Sequence, residues 1–175
     1  MKLPSKIQSA GIVVQHEFVP GDLGQLIHIH GVQNFADYGF NEVHEAYCAR
    51  IAADFILDQS KGRGRSRVWL TKQAEKVVGS IFIVERPGNA AQLRLLFVDI
   101  SVRGIGLGRW LVEESIRYCQ SAGFRSVCLW TVEGLDRAMS VYESVGFVRV
   151  EEKCAQNWGQ SNVEVRLDLD LSATN

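Results

Sequence analysis

The sequence has no long hydrophobic run, and among its 175 residues only three are prolines and four are cysteines. Its apolar stretches are too short and too interrupted to span a bilayer, and its first residues do not lead into an apolar segment of signal-peptide length. The formal net charge is −1, so bulk electrostatics favour neither a nucleic acid nor a membrane surface as a partner. We therefore expect a cytoplasmic protein with no nucleic-acid partner and no membrane partner.

The cysteines and histidines lack the spacing of known metal sites. Cys48, Cys119, Cys128 and Cys154 are widely separated and contain no C-x-x-C pair. The four histidines do not form the H-E-x-x-H pattern of zinc enzymes. We expect buried or partly buried free thiols in a reducing compartment, and no structural metal.

Length and hydrophobic periodicity predict a single domain, residues 1–175, of the α/β class. Asp22 and Asn41 are the predicted N-caps of the first two helices. Hairpin strands followed by a β-α-β-α-β alternation indicate a mixed sheet. In chain order the predicted elements are a strand (10–17), helices (23–32 and 41–56), strands (68–70, 77–84 and 93–100), a helix (106–122), a strand (126–132), a helix (135–145) and strands (147–152 and 162–171).

A glycine-rich turn between a predicted strand and the longest predicted amphipathic helix carries the clearest chemical signal. Gly104, Gly106 and Gly108 let the backbone approach a ligand closely and adopt angles that other residues resist. Free N–H groups at the helix start and the helix dipole favour an anion there. Arg103 and Arg109 add positive charge at the rim. The turn therefore predicts a binding site for a pyrophosphate.

Three phosphate-binding designs can be compared with this turn. A P-loop requires G-x-x-x-x-G-K-[ST], and the sequence contains no such string. A dinucleotide-binding turn requires G-x-G-x-x-G; its first two glycines are present, but Arg109 stands at the third, and Glu133 would have to bind the ribose. The third design, R-x-x-G-x-G, is matched in full by Arg103, Gly106 and Gly108. A nucleotide-dependent oxidoreductase thus stays open as the weaker alternative.

Three motifs follow one another in the second half of the sequence. They are Leu96-Phe97-Val98, the turn from Arg103 to Gly108, and the segment from Ala138 to Phe147, which fits A-x-x-x-Y-x-x-x-G-F. Together they resemble the GCN5-related N-acetyltransferase (GNAT) superfamily. The sequence is also similar to the acetyltransferase half of bacterial proteins that fuse this fold to a winged-helix regulator. The resemblance implies a sheet with splayed central strands and an acyl-coenzyme A-binding core at about residues 92–150.

The resemblance implies an N-acetyltransferase that uses acetyl-coenzyme A (acetyl-CoA) as co-substrate, with direct attack by an amine in a ternary complex. The pantetheine arm would bind backbone groups left free near Phe97 and Val98, where the fourth and fifth strands separate. Tyr142 would act as the general acid; a phenol pKa of ~10 against a thiol pKa of ~8.5 favours a hydrogen bond to the leaving thiolate over full proton transfer. The implied cofactor-binding residues are Leu96, Phe97, Val98, Arg103, Gly104, Ile105, Gly106, Leu107, Gly108 and Arg109.

The acceptor is expected to be an amine of a small molecule or peptide. Aromatic residues clustered in the first helices suggest a small hydrophobic or aromatic amine, with plain core packing as the alternative. Arg94 would suit an acceptor that carries a carboxylate, with a sheet-surface charge as the alternative. The candidate acceptor-binding residues are His30, Tyr38, Glu45 and Arg94.

Two features weaken the expectation of turnover. Leu135 stands seven residues before Tyr142, where many family members carry an asparagine that contacts the cofactor. No base stands out for the attacking amine, and His30 is expected on the surface. The candidate bases are Glu45, His30, Asp37 and Glu133. An acyl-CoA-sensing module without turnover is therefore the alternative function, and a homodimer is expected from the family.

Overall fold

The described strands form one mixed sheet in a computed structural model that describes residues 3–62 and 64–172. The sheet order is β1-β2-β3-β4-β5-β7-β6, and β4 with β5 is the parallel pair. This arrangement confirms the predicted mixed α/β class. The strands are β1 (Ile12–Gln15), β2 (Arg67–Gln73), β3 (Lys76–Arg86), β4 (Ala90–Val98), β5 (Ser126–Val132), β6 (Val148–Asn157) and β7 (Gln160–Asp170).

The helices pack on the two faces of this sheet. They are α1 (Ser5–Ser9), α2 (Asp22–Tyr38), α3 (Glu42–Gln59), α4 (Leu107–Ser121) and α5 (Asp136–Ser144), with a 3-10 turn at Ile100–Val102. Within the described part of the chain, no helix is both long enough and apolar enough to cross a membrane.

Alternating side chains of β2 and β3 divide the interior into two cores. Trp69 and Ile81 belong to the core that also contains buried residues of α4 and α5. Leu70 and Phe82 point to the opposite face and join the core formed with α2 and α3. The period of two along each strand places neighbouring residues on opposite sides of the sheet. The sheet therefore holds α2 and α3 on one face and α4 and α5 on the other.

The beginning and the end of α2 differ from the prediction. The helix continues to Tyr38 and ends where Gly39 adopts a φ of 73°, which glycine tolerates well. Asp22 is not its N-cap, because Gly21 takes that position. The Asp22 carboxylate is instead buried and lies 2.6 Å from Nζ of Lys72. A buried charge requires such a partner, and this pair fixes the start of α2 against β2.

The C-terminal hairpin also extends beyond its predicted limits. β6 continues to Asn157, and Trp158 and Gly159 make the turn to β7 with φ values of 55° and 86°. The segment 153–157 has no alternating apolar pattern, so its pairing with β7 was not visible in the sequence. The prediction of buried or partly buried thiols is wrong for Cys154, which is exposed on β6. The predicted N-cap Asn41 is confirmed, since its side chain accepts a hydrogen bond from the Val43 N–H.

Candidate active site

The parallel strands β4 and β5 pair only at their beginnings. Their ladder starts at Ala90 opposite Ser126 and ends at Gln92 opposite Cys128. From residue 93 onward, the backbone groups of β4 that face β5 have no strand partner in this ladder. The predicted separation of the central strands is therefore confirmed, and it opens the sheet to a ligand whose amides can satisfy those groups.

Not every backbone group near this split is free. The Val98 carbonyl accepts hydrogen bonds from Nε2 of Gln33 and from Nε of Arg103, each at 3.2 Å. Oε1 of Gln33 also accepts a bond from the Ile100 N–H at 3.0 Å. The prediction of unpaired groups near Val98 is therefore wrong for its carbonyl. Gln33 closes that end of the strand and leaves the residues before Val98 as the open segment.

β4 is irregular inside the split. Its register with β3 shifts between Ser80 and Phe82, and Leu95 has a φ of 48°. A leucine in the left-handed region is strained, and the Ser80 hydroxyl holds it by donating to the Leu95 carbonyl at 2.7 Å. A bulge of this kind bends a strand and redirects its side chains. Here it marks the position at which β4 leaves β5.

The glycine turn lies directly after this strand and begins α4. Gly104 and Gly106 have φ values of 81° and 87°, which explains the glycines at these two positions. Gly106 is the N-cap of α4 and supplies no side-chain cap, so the first helical N–H groups are left for a ligand. A Cβ at Gly108 would lie 3.4 Å from Cγ2 of Val98. A larger side chain there would narrow the space beside β4.

A cavity of about 750 Å³ lies between this turn, α2 and α5, and we call it the glycine-turn cleft. Ile105 of the predicted cofactor set does not line it, and its partly buried side chain packs against the core. Arg137, which the sequence analysis did not single out, adds a further cation to the wall. The remaining predicted residues that line the cleft are Leu96, Phe97, Val98, Arg103, Gly104, Gly106, Leu107, Gly108 and Arg109.

Arg103 is already held by protein groups at the edge of the cleft. Its Nη2 lies 2.7 Å from Oδ2 of Asp37, and the two side chains are 25% and 23% exposed. Asp37, Tyr38, Arg103 and Arg137 also line a polar cavity of about 290 Å³ beside the cleft. Burial, and then the charge of Asp37, raise the pKa of Tyr38. Tyr38, predicted on the acceptor side, thus lies beside the arginines of the cleft.

A second cavity, of about 390 Å³, lies next to the cleft at the split strands, and we call it the aromatic pocket. Residues from α2, α3, β4, β5, α5 and the β6–β7 hairpin line it. Its aromatic lining residues are Phe40, Tyr47, Trp130, Tyr142 and Trp158. The two cavities share the wall residues Asn34, Leu96, Leu135 and Ala138. A ligand that extends along the cleft can therefore reach the aromatic pocket at this shared wall.

Tyr142 of α5 lines the aromatic pocket near the shared wall. The residue is 5% exposed, and its hydroxyl forms no hydrogen bond with another described residue. Phe147 packs against its ring, with centroids 5.9 Å apart. Burial raises the pKa of Tyr142, so the phenol stays protonated at neutral pH. The arrangement offers a fixed hydrogen-bond donor with no protein acceptor of its own.

The structure separates the four candidate acceptor-binding residues. His30 and Arg94 line the aromatic pocket, whereas Tyr38 lines the glycine-turn cleft. Glu45 lines none of the three cavities described above. Its carboxyl group packs against Gly31, where an added Cβ would lie 2.7 Å from Cδ of Glu45. Gly31 thus permits the close approach of α2 and α3 that brings Glu45 into this position.

The four candidate bases also lie in different parts of the structure. Asp37 is paired with Arg103, and Glu133 lies 3.6 Å from Arg149 at the surface. Of the four candidates, His30 alone lines the aromatic pocket. It is 3% exposed, so the prediction that it lies on the surface is wrong.

Sequence analysis missed a buried cluster in the wall of the aromatic pocket. Sγ of Cys48 lies 3.8 Å from Nδ1 of His30 and 3.7 Å from Nε2 of His44. Burial, with a smaller effect of His44, lowers the pKa of His30 to about 3, and burial lowers the pKa of His44 to about 4. Burial also raises the pKa of the Cys48 thiol to about 12. All three groups are therefore neutral at pH 7, and the i, i+4 spacing of His44 and Cys48 was the only signal of the cluster in the sequence.

No group of three or more histidine, cysteine or acidic side chains in the described ranges could hold a metal ion. The cations of the glycine-turn cleft and the unpaired strand edge instead suit a ligand with phosphates and amides.

Residues 30–147 match the model of the acetyltransferase (GNAT) family, which is more than half of the chain. The chain belongs to this family. Human N-acetyltransferase 8B is 30% identical over 97 residues, which cover 53% of this chain and 43% of that protein. Mycothiol acetyltransferase of Amycolatopsis mediterranei is 34% identical over 97 residues, which cover 55% of this chain and 31% of that protein. The chain spans about half or less of the length of the curated relatives it matches, from 21% to 52%.

Solved structures show the same GNAT fold. Spermidine N-acetyltransferase from Vibrio cholerae, solved with CoA and spermine, has a TM-score of 0.70 at 16% identity and covers 93% of this chain and 97% of its own. Ribosomal-protein-alanine N-acetyltransferase from Brucella melitensis has a TM-score of 0.70 at 18% identity, with 90% and 99% covered. A dinucleotide-binding fold would need a largely parallel sheet, whereas β4 with β5 is the only parallel pair among the described strands. The glycine turn is therefore assigned to the GNAT fold and not to a nucleotide-dependent oxidoreductase.

Proposed function

We propose that this GNAT protein transfers an acetyl group from acetyl-CoA to an amine. The observation that carries the proposal is the meeting of two cavities at one wall, formed by Asn34, Leu96, Leu135 and Ala138, beside the Tyr142 phenol. A thioester entering from the glycine-turn cleft and an amine entering from the aromatic pocket can meet there. Such a ternary arrangement brings the reactants together without a covalent intermediate on the enzyme.

The glycine-turn cleft supplies the cofactor contacts in this proposal. The first N–H groups of α4 bind the pyrophosphate, and Arg103, Arg109 and Arg137 provide positive charge around it. The amides of the pantetheine arm pair with the β5-facing edge of β4 between residue 93 and Phe97. Ile105 contributes no side-chain contact in this proposal, because it does not line the cleft.

Tyr142 assists the departure of the thiolate. The amine attacks the thioester carbonyl, and the tetrahedral intermediate collapses by breaking the C–S bond. The buried phenol donates a hydrogen bond to the sulfur as negative charge develops, and such a bond is worth more at a buried position than in bulk water. The proton on the attacking nitrogen leaves to water, because burial lowers the pKa of His30 to about 3 and that of His44 to about 4 and makes both imidazoles weak bases.

The activity is tested by CoA thiol release and product mass with acetyl-CoA and a panel of amines, including amino acids, polyamines and peptides with free N-termini. Amine-dependent release with formation of the acetylated amine supports the proposal. Binding of acetyl-CoA without turnover on any amine would contradict it and favour the acyl-CoA-sensing alternative.

Several finer assignments stay predictions. They are a single domain with an acyl-CoA-binding core at residues 92–150, a homodimer, a cytoplasmic location, and the closer likeness to proteins with a winged-helix regulator. Size-exclusion chromatography with light scattering at several concentrations tests the homodimer. A mass that stays monomeric throughout would rule it out under those conditions.

A further inference from the structure

Arg94 differs from the other charged side chains of the aromatic pocket. Lys153 and Glu164, which also line the pocket, are paired with each other at 3.0 Å. Arg94 forms no ion pair with any residue in 3–62 or 64–172. Its Nη2 donates to Oη of Tyr47 at 2.7 Å, and its Nη1 donates to Oε1 of Gln92 at 3.2 Å. Neutral partners thus fix the guanidinium while its charge stays uncompensated.

A guanidinium that has no ion-pair partner favours the binding of an anion. It has five N–H donors, and the two bonds to Tyr47 and Gln92 leave donors for a ligand. A planar carboxylate can accept two parallel hydrogen bonds from such a fork. A polyamine would instead place like charge beside Arg94 and would gain nothing from it. The electrostatics of the pocket therefore favour an acceptor that contains a carboxylate.

Aromatic rings form the rest of the acceptor surface. The Trp158 ring lies 4.9 Å from Phe40, 4.7 Å from His44 and 5.7 Å from Tyr47, measured between ring centroids. All four residues line the cavity; Phe40 and His44 are buried, whereas Tyr47 and Trp158 are half-buried. Half-buried rings leave faces that an apolar or aromatic group can cover. The volume of about 390 Å³ suits a small molecule.

The position of Arg94 relates the carboxylate to the reaction centre. Arg94 directly precedes the bulge at Leu95, and Leu96 belongs to the wall that the two cavities share. In an α-amino acid a single carbon separates the amine from the carboxyl group. A carboxylate on Arg94 therefore leaves the amine inside the cavity that borders the shared wall, where the thioester is proposed to lie.

We infer that the acceptor is an α-amino acid with an aromatic or large apolar side chain, whose carboxylate binds Arg94 and whose side chain packs against Tyr47 and Trp158. The inference rests on the proposed function, because a bound amino acid is an acceptor only if the protein transfers an acetyl group. The ligand site itself can be tested by binding alone.

The test compares L-phenylalanine with L-phenylalaninamide, which differ in the carboxylate. Calorimetric titration into protein saturated with CoA should give tighter binding of the acid by about 10- to 100-fold, the usual effect of a charge-assisted hydrogen bond. Arg94→Gln should abolish this preference, and Arg94→Lys should retain a smaller one, because a lysine keeps the charge without the fork. Arg86→Gln is the matched control, since Arg86 is exposed and lines none of the three cavities.

Each outcome decides between the two proposals. Equal binding of acid and amide, tighter binding of spermidine, or a preference that survives Arg94→Gln in the folded variant would overturn the amino-acid site. Amides or polyamines acetylated as fast as amino acids would overturn it and leave the acetyltransferase function standing. Binding that depends on Arg94 and the carboxylate, with no amine acetylated, would keep the ligand site and overturn the function.

Discussion

The glycine-turn cleft and the aromatic pocket meet at the same split strands but are built differently. Most of the cleft comes from one continuous segment, 96–109, and its ligand-facing groups are largely backbone amides around glycines with positive φ. The pocket combines side chains from seven helices and strands, spread from His30 to Glu164. A site made of local backbone leaves a motif in the sequence, whereas a site made of distant side chains does not.

The two regions also differ in charge. The cleft has Arg103, Arg109 and Arg137 at its walls, in keeping with a phosphate ligand. The pocket is lined by the buried neutral groups His30, His44 and Cys48 and by Arg94, which has no ion-pair partner among the described residues. A fall in pH should therefore change the protonation of the pocket before it changes that of the cleft. Substitutions of the turn glycines should change ligand binding in the cleft alone.

The largest expected effect is acid destabilisation through the pocket histidines. The pKa of a histidine in the unfolded chain is ~6.5, against about 3 for His30 and about 4 for His44 in the folded protein. Between the folded and unfolded pKa values the unfolded chain binds more protons than the folded protein. The free energy of unfolding is therefore highest above the unfolded pKa and decreases as the pH falls. At about pH 5 each imidazole should cost about 2 kcal/mol, as measured by urea unfolding across a pH series.

Substitution of the histidines sharpens this prediction. His30→Gln/His44→Gln should flatten the pH profile of the unfolding free energy, whereas His28→Gln, at an exposed position of α2, should leave the slope unchanged. The same acid slope in the double variant and in the wild type would show that the pocket is not the acid-sensitive region.

The next largest effect is expected from Tyr142, which lies near the wall that the two cavities share. Tyr142→Phe removes the proposed donor to the leaving thiolate and keeps the packing against Phe147. We expect kcat to fall by about 100-fold, at the lower end of general acid contributions, with an unchanged Kd for CoA. Steady-state kinetics and calorimetry measure the two quantities separately. An equal loss of turnover and of CoA affinity would make Tyr142 a structural residue.

A smaller effect is expected from the backbone of the cleft. Gly106→Ala forces a side chain onto a φ of 87°, where it strains the start of α4 by roughly 1–2 kcal/mol. The misplaced N–H groups should weaken CoA binding by roughly 10-fold, while the affinity for the acceptor stays within about twofold. Gly24→Ala is the control, because Gly24 lies in α2 with open space around its Cβ position. Equal losses in both variants would contradict a specific role of the turn.

The smallest effect is expected at the wall that the two cavities share. Leu135 lines both and stands where many family members have a cofactor-binding asparagine. Leu135→Asn should tighten CoA binding by about threefold through one added hydrogen bond, with little change in kcat. Weaker binding would mean that the leucine contributes an apolar contact that the cofactor needs.

The sequence revealed the cleft better than the pocket for physical reasons. Period-two and helical patterns predicted β5 and α4, and the glycines predicted the anion site, because these features depend on neighbouring residues. The buried ion pair of Asp22 with Lys72 depends on tertiary contact and was missed. The contact of Cys48 with His30 was missed for the same reason. Trp158 enters the pocket only because β6 and β7 form a longer hairpin than the apolar pattern indicates.

The most direct test of the central claim, that the glycine-turn cleft binds acetyl-CoA, is a thermal shift of the purified protein with acetyl-CoA, CoA, NAD and NADP side by side. The account predicts that acetyl-CoA and CoA at about 100 times Kd raise Tm by roughly 5–10 °C, and that NAD and NADP leave it unchanged. Gly106→Ala should need a higher cofactor concentration for the same shift. No shift with either thiol cofactor, or a shift with NAD instead, would contradict the assignment of the cleft.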